Sequence, residues 1–139
     1  MITFDPEQWL EVADACCEPI TGLNEEALLR TALNRAYYAV LLLIKQRIEV
    51  AQGSGAVPRS RTHAALLSAL RAGGPHFVRL HDGLQRLRAH REAADYELRS
   101  EPLVVGNVRS HVARSRWLIR SRIKALPDAE FRRLVLPRR

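Results

Sequence analysis

The sequence predicts an all-α protein, an up-and-down bundle of four to five helices. Three observations lead there. Apolar residues recur at three- and four-residue steps, and no segment alternates apolar and polar for long, so the helical period dominates and strand signals are almost absent. Breakers fall in tight groups (Pro19 with Gly22, Gly53 to Pro58, Gly73-Gly74-Pro75, Pro102, Pro127) and leave helix-length segments between them. The chain has 139 residues, 47% of them apolar, about one domain's worth and enough to bury one core. A single domain over residues 1–139 is expected, with its core in about 5–126 and a basic tail over 127–139.

The first helix is expected from Asp5 to Glu18. Pro6 just inside the start and the acids Asp5 and Glu7 suit a helix N-terminus, and Trp9, Val12, Ala13 and Cys16 make the apolar stripe. A long second helix runs from about Asn24, a good N-cap followed by Glu25 and Glu26, to Ala51. Its middle, Ala36 to Ile44, is apolar nearly all round, which marks the central helix of the core. After a loop over Gln52 to Arg59, a short helix covers Ser60 to Arg71. The fourth spans about His76 to Leu98, and a last long helix spans Val104 to Ala125, with Val105, Val108, Val112, Ile119, Ile123 and Leu126 as its buried stripe. Asp128 to Leu134 forms a final turn or short helix. Helices of some twenty residues make a bundle roughly 30 Å tall.

Composition excludes several function classes. No apolar run reaches 18 residues, so no membrane-crossing helix is expected, and the N-terminus shows no basic segment leading into an apolar one, so no signal peptide and a cytoplasmic protein are expected. Cys16 and Cys17 are neighbours that point apart, and no His or Cys stands at metal-ligand spacing near them; Cys16 reads as a core residue, and no metal and no cofactor are expected. Gly53-Ser54-Gly55 lacks the Lys and the preceding strand of a phosphate-binding loop, and no Gly-x-Ser-x-Gly elbow occurs.

Charge is unevenly placed. Residues 1–108 carry 12 Lys/Arg against 13 Asp/Glu, whereas residues 109–139 carry 10 against 2, so the whole excess of +7 sits at the C-terminal end. A local basic field of that size attracts polyanions, chiefly nucleic acid, and equally suits a solvated tail. On the last helix Arg109, Arg116 and Arg120 lie near one face, flanked by Arg114 and Arg122.

Two arginines interrupt apolar stripes. In the fourth helix Phe77, Leu80, Leu84, Leu87, Ala94 and Leu98 follow helical steps and Arg91 fills the gap; in the second, Leu28, Ala32, Ala39 and Leu42 do so and Arg35 fills the gap. A charge on a buried seam is costly unless it is paired or opens on a water-filled site. Asp95, one turn after Arg91, is a partner for Arg91 or Arg35, and Tyr37, Tyr38 and Tyr96 add hydroxyls. The cluster is either a buried register device or a site in a cleft between helices or subunits.

These residues resemble a known family. Arg35-Ala36-Tyr37-Tyr38-Ala39 resembles the R-x-Y-Y-A element of HEPN domains, Arg91-Glu92-Ala93-Ala94-Asp95-Tyr96 resembles their R-x-x-A-D-Y element, and His63 resembles the H-x-x-L start of their short third helix. The resemblance covers roughly residues 5–126. It implies a four- to five-helix bundle that forms a homodimer. Many such domains are metal-independent ribonucleases of toxin–antitoxin and defence systems, with an Arg followed after four to six residues by a His, two copies forming one cleft. Others bind nucleotides or act as inactive partners, often beside a minimal nucleotidyltransferase. Here the position four intervening residues beyond Arg91 is Tyr96 and the position six beyond is Leu98, so the motif His is missing.

Metal-free RNA cleavage needs a base for the 2′-hydroxyl and an acid for the leaving oxygen; His suits both, and Tyr, with an ordinary pKa of about 10, is a poor base at neutral pH. The first expectation is therefore a non-catalytic module that binds RNA, a nucleotide or a nucleotidyltransferase through Arg35, Tyr37, Tyr38, Arg88, Arg109, Arg116 and Arg120. The alternative is a ribonuclease in which Arg91 holds the phosphate, Asp95 orients an arginine, and Tyr96 or His90 assists proton transfer. A third is a purely structural helical assembly. His63 is read as capping or lining the short helix.

Overall fold

The computed structural model describes residues 4–96 and 103–137, with six helices in order: α1 (Gln8–Cys16), α2 (Glu25–Gln52), α3 (Thr62–Arg71), α4 (Pro75–Tyr96), α5 (Val105–Leu118) and α6 (Asp128–Arg132). A π-helical turn, Ile119–Ile123, continues α5. The side chains of Asp95 and Tyr96 lie outside the described part, as do the expected end of the fourth helix at Leu98 and the connector at Pro102.

Everything is built around α2. Asn24 caps it, its Oδ1 accepting the Ala27 N–H at 3.1 Å, and Glu25 and Glu26 complement the dipole in the first turn. Gly53 stops it with φ 111°, a conformation that a Cβ disfavours. Between these ends Ala32, Ala36, Tyr37, Ala39, Val40, Ile44 and Ile48 are fully buried, and α2 packs against α1, α4, α5 and α6. The helix has the length and hydropathy of a membrane span, against the expectation from apolar runs alone, but 61% of the apolar window is buried inside the bundle. An apolar helix that its neighbours cover on several sides is a core helix.

α4 and α5 run antiparallel, with His90 beside His111, Gly83 beneath Leu118 and His76 beside Arg122. A Cβ on Gly83 would stand 2.7 and 2.8 Å from the Leu118 methyl carbons, so glycine sets how closely the two helices approach. The expected continuous helix to Ala125 is interrupted. The Lys124 N–H reaches the Ile119 carbonyl at 2.8 Å, a five-residue step, and the carbonyls of Ile123 and Leu126 accept from the Arg47 guanidinium at 2.7 and 2.6 Å. Arg47 thus holds the widened turn from α2.

The core also extends past residue 126. Phe131 is fully buried, edge-on to Phe77 at 5.3 Å and under Arg47 at 4.5 Å, and Leu134 is buried as well. The Gln52 side-chain amide secures this segment, Nε2 donating to the Phe131 and Leu134 carbonyls at 2.9 and 2.7 Å. Two further helix starts differ from expectation. Residues before Gln8 form a turn in which Asp5 accepts the Glu7 N–H, and α3 begins at Thr62 because Arg61 adopts φ 59° while the Thr62 hydroxyl donates to the Pro58 carbonyl.

Candidate functional site

Four helices bring their polar and aromatic side chains to one place. α2 supplies Arg35, Tyr37 and Tyr38, α1 supplies Trp9, α3 supplies His63, and α4 supplies Arg88, Arg91 and Glu92. The helical step explains the convergence from α2 and α4: Arg35 and Tyr38 lie three residues apart on one edge of α2, as Arg88 and Arg91 do on α4.

Cations and rings alternate. The Arg35 guanidinium lies 4.6 Å from the Trp9 ring centre and 5.8 Å from that of Tyr38, and the Arg91 guanidinium lies 5.5 Å from Tyr38 and 5.2 Å from Tyr37. Such cation–π contacts let half-buried arginines keep their charge. Arg35 also donates to Asn34 Oδ1 at 2.5 Å, and Arg88 pairs with Glu92 at 3.0 Å. His63 closes the cluster. Its ring stacks on Tyr37, with centres 5.5 Å apart and planes 14° from parallel, and its Nδ1 is hydrogen-bonded to the Tyr37 hydroxyl. Tyr37 is fully buried, whereas Trp9, Arg35, Tyr38, His63, Arg88 and Arg91 are half-buried and reach the surface. A shallow depression lined by Gln85, Arg86, Arg88, Ala89 and Glu92 adjoins them.

Electrostatics assign the protons. Burial pushes the Tyr37 phenol up to about 12, despite the opposing pull of Arg88 and Arg91, so it is protonated at neutral pH. Burial first, and the positive charges of Arg88 and Arg91 next, hold the His63 imidazole below its ordinary pKa, with Glu92 opposing. A neutral His63 either accepts the Tyr37 O–H at Nδ1, with its own proton on Nε2, or donates Nδ1–H to the Tyr37 oxygen, with its lone pair on Nε2. The arrangement presents an anion with preorganised guanidinium groups, a base with aromatic faces, and a reaction with one neutral imidazole.

The expected site residues divide. Arg35, Tyr37, Tyr38, Arg88 and Arg91 come together. His90 does not join them: one residue along a helix turns the side chain by about 100°, and the His90 ring lies on that of His111, with centres 3.8 Å apart. On the last helix, Arg109 pairs with Glu18 at 2.6 Å and Arg116 with Asp14 at 2.6 Å, tying α5 to α1, while Arg120 is exposed. The sequence marks Trp9 only as a core residue, and it offers His63, at the start of a short helix, as a histidine that could replace the missing one without showing that Tyr37 faces it. Cys16 and Cys17 are buried free thiols whose pKa burial raises, so neither is a poised nucleophile. Among the described residues no three His, Cys, Asp or Glu side chains gather as metal ligands.

Neither a curated protein nor a solved structure matches the chain. A family model described as the HEPN domain matches residues 6–121, which takes in α1 to α5, the start of the π turn and every residue of the cluster. On that match and the helical bundle, the chain belongs to the HEPN family, whose members are generally RNA-related, nuclease-like or toxin–antitoxin modules.

Proposed function

We propose that this HEPN domain binds RNA or a nucleotide at the arginine–aromatic cleft without cleaving it, as a homodimer within a prokaryotic toxin–antitoxin, defence or stress system that includes a minimal nucleotidyltransferase. The observation that carries the reading is the ladder Trp9–Arg35–Tyr38–Arg91–Tyr37, in which two guanidinium groups are already fixed against aromatic faces. Phosphate is held by such groups at little ordering cost, and an unstacked base finds Trp9 and Tyr38 half-exposed beside them. The absence of turnover follows from proton bookkeeping. Cleavage at a 2′-hydroxyl needs both a base and an acid, and the cluster offers one neutral imidazole and a phenol at about 12.

Titration of the protein with single-stranded RNA and with nucleoside triphosphates tests this. Binding should weaken as salt rises and should weaken further in Arg91→Ala and Arg35→Ala, each by about tenfold for a lost charge-assisted contact. Unchanged affinity in both variants would sink the cleft as the site.

One observation favours a second reading, a metal-independent endoribonuclease. His63 lies on the Tyr37 ring, is oriented by its hydroxyl, and is affected by the charges of Arg88 and Arg91. In the tautomer that donates Nδ1–H to the Tyr37 oxygen, His63 Nε2 would take the 2′-hydroxyl proton and the arginines would stabilise the phosphorane, with a second imidazole supplied by the partner copy. Cleavage of cellular RNA in EDTA that disappears in both His63→Ala and Arg91→Ala would establish that reading over the first.

A further inference from the structure

α4 has a second charged edge, about half a turn around the helix from Arg88 and Arg91. His76, Arg79, Gly83, Arg86 and His90 follow one another at three- and four-residue steps; His76, Gly83 and His90 meet α5, and the exposed Arg79 and Arg86 stand in the same row, Arg86 also bordering the Gln85–Glu92 depression. The facing edge of α5 and the π turn carries His111, Arg114, Trp117 and Arg122, and there is no carboxylate anywhere from Val105 to Ile123. Gly83 lets the two helices close on each other, so the two edges form one track.

Three features set this track apart from an ordinary solvated face. Among the described residues, none of Arg79, Arg86, Arg114 and Arg122 has a carboxylate partner, whereas Arg109 and Arg116 on the other side of α5 are engaged by Glu18 and Asp14. The bordering acid, Asp82, is bonded to His81 at 3.0 Å. Second, Trp117 is 50% exposed in the middle of the track, and the Arg122 guanidinium lies 5.5 Å from its ring centre, which fixes the indole and leaves half its surface open. Third, Arg122 meets an imidazole rather than an anion, its terminal nitrogen lying 3.4 Å from His76 Nδ1, and its buried Nε has no hydrogen-bond partner among the described residues. It lies in a π-helical turn, a deformation that recurs at functional sites.

We propose that this α4–α5 seam is a second nucleic-acid surface, which takes single-stranded RNA by its phosphates on Arg79, Arg86 and Arg114 and stacks a base on Trp117. The occupant follows from the chemistry. Unpaired guanidinium groups call for a polyanion, and a fixed, half-open indole calls for a flat π system. A single RNA strand supplies both; an acidic peptide supplies the charge alone. The proposal rests on the reading that the protein binds RNA and extends it: the cleft takes a nucleotide or a strand end, and the seam, on the opposite edge of α4, takes the flanking strand.

The two tryptophans of the chain report the two surfaces separately, Trp9 in the cleft and Trp117 in the seam. Trp9→Phe and Trp117→Phe each leave one indole, whose emission is followed as single-stranded oligoadenylate is added at low salt. Quenching of Trp117 in the Trp9→Phe protein is expected. In that background Arg79→Gln with Arg114→Gln should weaken binding about tenfold or more and lower the steepness of its log–log salt dependence by about 0.7 per arginine. Circular dichroism confirms that the exposed substitutions leave the helices intact. Quenching of Trp9 but not Trp117 overturns the seam and leaves the cleft standing. Quenching of neither removes both surfaces. Polyglutamate that displaces the RNA at equal charge concentration, with Trp117 emission indifferent to which is bound, overturns the assignment to RNA in favour of an acidic protein partner.

Discussion

Removal of one buried oxygen tells apart the two His63 tautomers, on which the two functional readings divide: with Nδ1 accepting the Tyr37 O–H, His63 keeps no lone pair for a substrate. In Tyr37→Phe the ring keeps its place against Arg91, Tyr38 and His63, and only the hydroxyl bonded to His63 Nδ1 is lost. A typical hydrogen bond contributes about 0.5–1.5 kcal/mol net, and orphaning a buried partner costs about 1–3 kcal/mol. His63 is half-buried, so water partly replaces the phenol, and a loss of about 1–2 kcal/mol above the imidazole pKa is expected. For a domain of this size that lowers Tm by about 3–8 °C. The pH dependence has a definite sign. The folded pKa of His63 lies below the unfolded value of 6.5, so protonation penalises the folded state, and its contribution is fully present above that pH and lost as pH falls through the folded pKa. Where Nδ1 accepts the Tyr37 O–H, protonation fills Nδ1 and the phenol hydrogen loses its acceptor. The gap between wild type and Tyr37→Phe should therefore narrow on acidification. Urea denaturation on both sides of pH 6.5 measures it. A variant as stable as wild type above that pH, or a gap that widens below it, would refute the Tyr37-to-His63 donation.

Three further outcomes are expected. Asn24→Ala removes the side-chain acceptor for the Ala27 N–H and should lower stability by about 1 kcal/mol, read as a lower urea midpoint at unchanged slope. Gly83→Ala sets a helix-propensity gain of about 1 kcal/mol against overpacking of about 1–3 kcal/mol on the buried Leu118, so a net loss is expected, and a raised Tm would show that Leu118 moves aside freely. Arg47→Met strips the donors from the Ile123 and Leu126 carbonyls and should cost about 2–4 kcal/mol. Hydrogen exchange should then show lost protection from Ile119 through Leu134 before the rest of the bundle opens; uniform loss of protection would mean that Arg47 does not hold that segment specifically.

The fold was legible because its signals are local. Asn24 before two glutamates, Gly53 after a run of apolar turns and the breakers at Gly73 and Gly74 each act within a few residues, and each is where a helix starts or stops. What was not legible depends on groups far apart in the chain. The π turn needs Arg47 opposite Ile123, and the burial of Phe131 and Leu134 needs Gln52 and Phe77, so the segment after Pro127 reads as a basic tail until its partners are known. Arg61, left-handed without being glycine, hides the true start of α3 for the same reason.

The candidate site shows where this limit falls. Arg35 and Arg91 announce themselves by interrupting apolar stripes, because the anomaly lies in the pattern of their own helix. His63 interrupts nothing; it becomes chemically distinct only through Tyr37 on α2 and Arg88 and Arg91 on α4. The arginines of α5 make the converse point. By spacing alone, Arg109 and Arg116 look as suited to phosphate as Arg114, and the difference between them is the placement of two carboxylates on the far side of the molecule. Glu18 and Asp14 engage the pair that faces α1, whereas the charge of Arg114 acts on His111 of its own helix. A count of basic residues therefore measures the field of this protein but not its binding surface. On the proposed reading that surface is the set of arginines the fold holds beside aromatic rings, and it is against Trp117 and Trp9 that the strand should be sought.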